Sequence, residues 1–168
     1  MYAATGAAHS VASGRLSYVL GLQGACVGFD TACSAALAAA HGGLRALQLR
    51  ECEAAVVAGV NLMLLPGMSV SFAVAGMTSP RGRCHTFDAR ADGYARAEAC
   101  VSVALRSTSE GASVSLLGIA VRCDGRSASL TAPNGQAQRG LLLAALADAG
   151  VDPASLSRME AHLSLIHI

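Results

Sequence analysis

The stretch GFDTACSAAL, residues 28–37, decides the fold. Just before and into it, Ala25, Val27 and Phe29 alternate as on one face of a β-strand, which predicts a strand over 25–30. Directly after it, Leu37, Leu44 and Leu47 recur near the helical period, which predicts a helix from about Cys33 to Arg50, with Arg45 and Arg50 placed to complement its dipole. A cysteine is thereby set at a strand-turn-helix elbow, the arrangement that presents a nucleophile at the carboxyl edge of a sheet. Unpaired amides at a helix start attract the negative charge of a thiolate and offer half an oxyanion hole. On residues alone, Cys33 reads as a nucleophile or as an ordinary packing cysteine at a helix start.

The same grammar continues outward. A short helix is expected over Ser10–Leu20, closed by Gly21. The unbroken apolar runs 54–60, 99–105 and 114–121 have the length of strands covered on both faces. Between the first two lies a long irregular region, Pro66 to Arg96, rich in Gly, Pro, Arg and Asp, with room for short helices. Asn134 is a candidate cap for a helix through Ala149, which Gly150 ends and Pro153 keeps from continuing; a strand over Arg158–His162 would close the series. Strands alternating with helices predict an α/β fold, a largely parallel sheet with helices on both faces.

Composition narrows the chemistry. Hydrophobic residues make up 53% of the 168 and charged residues 14%, against about 45–50% and 25% in typical globular domains. An unusual share of the chain therefore expects burial, which points away from disorder. All twelve basic residues are arginine, scattered along a chain of net charge +1, so no nucleic-acid or anionic membrane partner is implied. Without lysine there is no Schiff-base chemistry and no phosphate-loop lysine.

The apolar run from Ala54 to Met68 is interrupted by Asn61 and Pro66 before it could span a bilayer, and MYAATGAAHS lacks the basic and apolar segments of a secretory signal. A cytoplasmic location is expected. The six cysteines form no CxxC pair or Cys/His cluster, so neither a disulfide framework nor a metal site is expected. His9, His41 and His85 read as surface or capped positions. Asp88, Asp92 and Glu98 lack calcium-loop spacing and read as partners of Arg90 and Arg96 or as turn residues.

Five ordered motifs then carry a resemblance: DTACSAAL (30–37), AAVVAGVNLMLLP (54–66), MTSPRGRCHTFDARADGYARAE (77–98), LTAPNG (130–135) and VDPASLSRMEAH (151–162). In that order they are similar to the β-ketoacyl synthase (ketosynthase) domains of modular type I polyketide synthases. The resemblance covers about residues 1–162 and leaves 163–168 as a tail that does not match. It implies an incomplete thiolase-like fold, the end of its N-terminal half and the start of its C-terminal half.

What the resemblance implies for function is decarboxylative Claisen condensation. Cys33 takes an acyl chain as a thioester, and His162, in the Glu160-Ala161-His162 opening of an EAHGTGT motif, stabilises the enolate of a malonyl-type thioester. No cofactor of its own is implied, since substrates ride on the phosphopantetheine arm of an acyl carrier protein. A homodimer is implied for the complete domain. Leu163 to Ile168 stand where GTGT is expected, and the second histidine, a lysine and the oxyanion loop of the family have no counterpart, so this chain alone is expected to lack full activity. Ala97 and Ala99 replace glycines of a GEG pattern and are expected to crowd a turn. Two rival readings stand beside this one. One is a non-catalytic remnant with a dimerisation or acyl-binding role. The other is a cysteine-dependent acyl hydrolase or simple transferase.

Overall fold

A computed structural model describes residues 3–108, 110–129 and 132–162. The tail 163–168 and the first two residues of LTAPNG lie outside the described residues. In chain order the elements are helices α1 (Ala3–Ala7) and α2 (His9–Leu20), a 3-10 turn (Ala32–Ser34), α3 (Ala35–Gln48), β1 (Ala54–Asn61), α4 (Pro66–Val74), β2 (Ala99–Arg106), α5 (Gly135–Ala149) and a second 3-10 turn (Pro153–Ser155). By contact density the chain divides into two units, one of Met1–Ala58 and Ser102–Ser155, the other of Gly59–Val101 and Leu156–Ile168.

Local chemistry explains the helix ends. Gly21 at φ 66° and Gly150 at φ 63° close α2 and α5 in the left-handed conformation that only glycine adopts without strain. Asn134 caps α5 as expected, its side-chain oxygen accepting from the amides of Gln136 and Ala137 at 3.1 and 3.2 Å. Pro66 stands in the first turn of α4, where its missing N–H costs no helical bond.

β1 and β2 pair as a two-stranded sheet. Past the end of β1, the Asn61 amide donates to the Ala97 carbonyl (2.6 Å) and the Met63 amide to the Glu98 carboxylate (2.6 Å), immediately ahead of β2. The end of one strand thus meets the start of the other, so this pair is antiparallel. The parallel pairing among the described residues is the bridge between Thr78 and Tyr94.

Three expected strands, 25–30, 114–121 and 158–162, do not form as strands. Their composition suits a sheet, but a strand is defined by a hydrogen-bonded neighbour, and none of the three has one among the described residues. The expected crowding at Ala97 and Ala99 does not arise from the backbone either, since the described non-glycine residues with positive φ are Ala32, Arg50 and Phe87.

In the first unit, α3 lies against the sheet through a pair of glycines. A β-carbon on Gly43 would stand 3.0 Å from Val57, 3.4 Å from Leu105 and 3.5 Å from Ala55. One on Gly42 would stand 2.8 Å from the tip of the Phe29 ring. Two glycines in mid-helix cost about 1 kcal/mol each relative to alanine, and this close approach is what they permit. Among the described residues, Ala38, Leu47 and Val57 are the buried apolar side chains. The far end of α3 is tied to α5: Arg45 donates to Asp148 (2.8 Å) and to the Ile119 carbonyl (3.1 Å), while Asp148 accepts the Ile119 amide (2.9 Å).

Little else is covered. The chain exposes 13283 Å², whereas a folded monomer of 16.9 kDa is expected to expose about 7,700 Å². Leu37, Val60, Leu64, Leu65 and Val74 are among the large apolar side chains left open.

Candidate active site

The path into Cys33 is built by four neighbouring residues. Thr31, with φ −119°, begins the 3-10 turn. Ala32 follows at φ 55°, the left-handed region, which costs an L-residue with a β-carbon about 1–2 kcal/mol. Cys33 comes next and is exposed, and α3 starts two residues later. Ser34 closes the turn: its hydroxyl donates to the Thr31 carbonyl (2.9 Å) and can accept from the Thr31 hydroxyl, which lies at the same distance. Behind the turn, the Phe29 ring rests on Gly42 and fixes the approach of the incoming segment.

The elbow expected from GFDTACSAAL is therefore present, with two differences. The incoming segment 25–30 is extended backbone and not a strand, and the turn is a 3-10 turn that precedes the α-helix. Cys33 still stands within one turn of the α3 N-terminus and is exposed.

The other cysteines have different surroundings. Cys26 is exposed and hydrogen-bonded by Ser13 and Ser17, which lower its pKa in that order of importance. Cys84 accepts the Ala95 amide (3.2 Å). Cys100 lies within β2 and Cys52 just ahead of β1. Cys52 also follows a left-handed residue, Arg50 at φ 59°, but it leads into a strand; Cys123 is exposed and lies in a segment without regular structure, and none of these five stands at the start of a helix.

His162 belongs to the second unit and Cys33 to the first. His162 is exposed, in a segment without regular structure, and not at the end of a strand as expected. Elsewhere in the second unit, the acidic residues are engaged by arginines and turns. Asp92 accepts from Ser79 (2.6 Å) and Arg81 (2.9 Å), which hold its carboxyl below the usual carboxylate range in that order. Asp88 accepts the Arg90 guanidinium and amide, and its carboxyl is held far below that range for the same reasons. Arg96, expected to pair with an acid, lies instead over the Phe72 ring at 4.8 Å, and Phe72 meets Tyr94 edge-on. No group of three or more His, Cys, Asp or Glu placed to hold a metal ion occurs among the described residues. No described helix is long and apolar enough to cross a membrane.

Sequence reasoning missed two features of the elbow. Alanine carries no sign of a left-handed φ, so Ala32 had none to read. The Ser34–Thr31 contact is a hydroxyl pair three residues apart, a spacing that a side-chain turn motif does flag.

The architecture and this elbow define an α/β protein with part of the thiolase-like fold. Residues 1–111 match the family described as "Beta-ketoacyl synthase, N-terminal domain" and residues 113–164 match "Beta-ketoacyl synthase, C-terminal domain". The chain belongs to the β-ketoacyl synthase family. It is 42% identical over 167 residues to a phenolphthiocerol/phthiocerol polyketide synthase polypeptide of Mycobacterium tuberculosis, an alignment covering 96% of this chain and 8% of that protein. A second polypeptide of the same synthase, from the same organism, is also 42% identical, with 11% of its length covered.

Among solved structures, the oxazolomycin ketosynthase domain of Streptomyces albus superposes with a TM-score of 0.83 at 34% identity, over 89% of this chain and 28% of that one. The ketosynthase from module 6 of the bacillaene synthase of Bacillus subtilis gives 0.83 at 31%, over 91% and 29%. The chain thus spans about a tenth of these curated relatives and under a third of these solved chains.

Proposed function

We propose that this chain carries the acyl-accepting part of a ketosynthase of polyketide assembly, the portion over residues 1–162, with Cys33 as nucleophile and His162 as a donor to the enolate. The observation that supports this most is the elbow: an exposed cysteine between a left-handed residue and the first turn of α3. The Cys33 thiolate attacks the carbonyl of an acyl thioester, and the resulting oxyanion is stabilised by backbone amides at the helix start. Collapse expels the pantetheine thiolate of the acyl carrier protein and leaves the acyl group on sulfur.

A malonyl-type thioester on a second carrier protein then loses carbon dioxide. The electron pair of the broken C–C bond becomes an enolate, to whose oxygen a neutral His162 imidazole N–H donates. The enolate carbon attacks the Cys33 thioester, the new C–C bond forms, and the sulfur departs as thiolate. Partners are acyl carrier protein and acyl and malonyl-type thioesters, and the complete domain works as a homodimer in the cytoplasm. No resident cofactor takes part.

The test uses the intact protein. Offered an acyl thioester, it becomes acylated at Cys33, and Cys33→Ala does not. With malonyl-carrier protein added, the complete ketosynthase domain forms a β-ketoacyl product, whereas the 168-residue chain alone is expected to stop at the acyl adduct. Release of free acid in place of that product would mark a hydrolase, and failure to acylate Cys33 would sink the reading.

A further inference from the structure

Ala32 holds a conformation that alanine disfavours, so something beside it must fix the turn. The contact that does so is the one between the two residues flanking the Ala32–Cys33 step: the Ser34 hydroxyl bridges the carbonyl and hydroxyl of Thr31 at 2.9 Å each. Ser34 N–H adds a longer bond to the same carbonyl (3.4 Å). Rotation at Ala32 out of the left-handed region would turn the following peptide over, and with it the direction in which Cys33 projects its sulfur and its amide. The Phe29 ring against Gly42 anchors the chain just ahead of this turn, so the loop is held from behind by packing and across the step by the two hydroxyls.

We propose that Thr31 and Ser34 are positioning residues for Cys33: their hydroxyl clasp keeps Ala32 left-handed and so sets the angle at which the thiol meets an acyl carbonyl. This rests on the acyl-accepting role of Cys33 proposed above. Alkylation by a small reagent needs an exposed thiolate and tolerates many approach angles. Acyl transfer needs sulfur, carbonyl carbon and oxyanion donors in one geometry. Loss of the clasp therefore slows acyl transfer far more than alkylation.

The experiment follows Cys33 in the intact protein by peptide-resolved mass spectrometry, with an acyl-pantetheine thioester in one arm and iodoacetamide in the other. Wild type, Thr31→Val, Ser34→Ala and Ser34→Thr are compared. Ser34→Ala and Thr31→Val are expected to lose about tenfold or more in acylation rate, with alkylation at Cys33 changed less than twofold. Ser34→Thr, which keeps the hydroxyl, restores most of the acylation rate. The proposal is overturned if Ser34→Ala acylates at the wild-type rate, or if both arms fall together, which is the behaviour of a merely unfolded variant. If wild type alkylates at Cys33 but does not acylate, the acyl-accepting role fails and takes the proposal with it, an outcome separate from the other two.

Discussion

Adding one methyl group to Gly43 tests the packing that carries Cys33. The new β-carbon would lie 3.0 Å from Val57 Cγ2, 3.4 Å from Leu105 Cδ1 and 3.5 Å from Ala55 Cβ. Ordinary carbon–carbon contacts are about 3.5–4.0 Å, so Val57 must retreat by at least about half an ångström. It is poorly able to. Val57 is buried, 8% exposed, sits in the middle of β1, and is stiff at χ1 because it branches at the β-carbon. Overpacking of this kind costs about 1–3 kcal/mol, while replacing a mid-helix glycine by alanine returns about 1 kcal/mol.

The net expectation for Gly43→Ala is a loss of about 1 kcal/mol, the middle of those ranges. Gly14, in α2, is the control, since nothing lies within 4 Å of the β-carbon it would gain. Gly14→Ala should therefore raise stability by up to about 1 kcal/mol. Urea unfolding of the two variants beside wild type decides the matter by sign. A Gly43→Ala protein that gains stability as Gly14→Ala does would refute the close approach of α3 to the sheet.

Three further outcomes are expected. Asn134→Ala removes the cap of α5 together with its bonds to Asp124 and Arg126, and should cost about 1 kcal/mol in denaturant unfolding. Asp148 is held below the usual carboxylate range by the Ile119 amide first and the Arg45 guanidinium second. A depressed folded pKa contributes stability that is present above the unfolded value of about 3.9 and is lost as pH falls through the folded value. Asp148→Asn should thus be less stable than wild type at neutral pH, with the gap closing as the pH falls below the usual carboxylate range in a series of unfolding curves. His162→Ala should leave acylation of Cys33 intact and slow decarboxylation of malonyl-carrier protein by about a hundredfold or more, the usual effect of removing one oxyanion donor. Equal loss in both steps would contradict its assignment to the enolate.

Features written in one residue's chemistry were readable from the sequence. Asn134 and Gly150 end α5 where their side chains, or the lack of one, require it, and Gly21 does the same for α2. The apolar run 54–60 forms β1 and the run 99–105 forms β2, because the two find each other as neighbours. The run 114–121 has comparable composition and 25–30 alternates on one face, yet neither has such a neighbour among the described residues, nor has the polar segment 158–162, and hydropathy cannot say which strands will be paired.

At the elbow, the turn into a helix around Cys33 was legible because the helical pattern begins there, while the strand expected before it formed only as extended backbone. The left-handed φ of Ala32 was not legible, since alanine adopts it under the constraint of surrounding contacts. Gly42 and Gly43 did carry a usable sign. Adjacent glycines inside an otherwise good helix imply a close neighbour, which here is Phe29 on one side and the sheet on the other.

Mass spectrometry of the intact protein, after exposure to an acyl-pantetheine thioester and then to malonyl-carrier protein, tests whether Cys33 is the acyl acceptor of a condensing site. One acyl adduct is expected on the peptide containing Cys33; in the complete ketosynthase domain it disappears when malonyl-carrier protein is added, as a β-ketoacyl group appears on the carrier with release of carbon dioxide, while the 168-residue chain alone retains the adduct without product. Stable acylation at another of the six cysteines with Cys33 unmodified, or β-ketoacyl product from Cys33→Ala, would contradict that role.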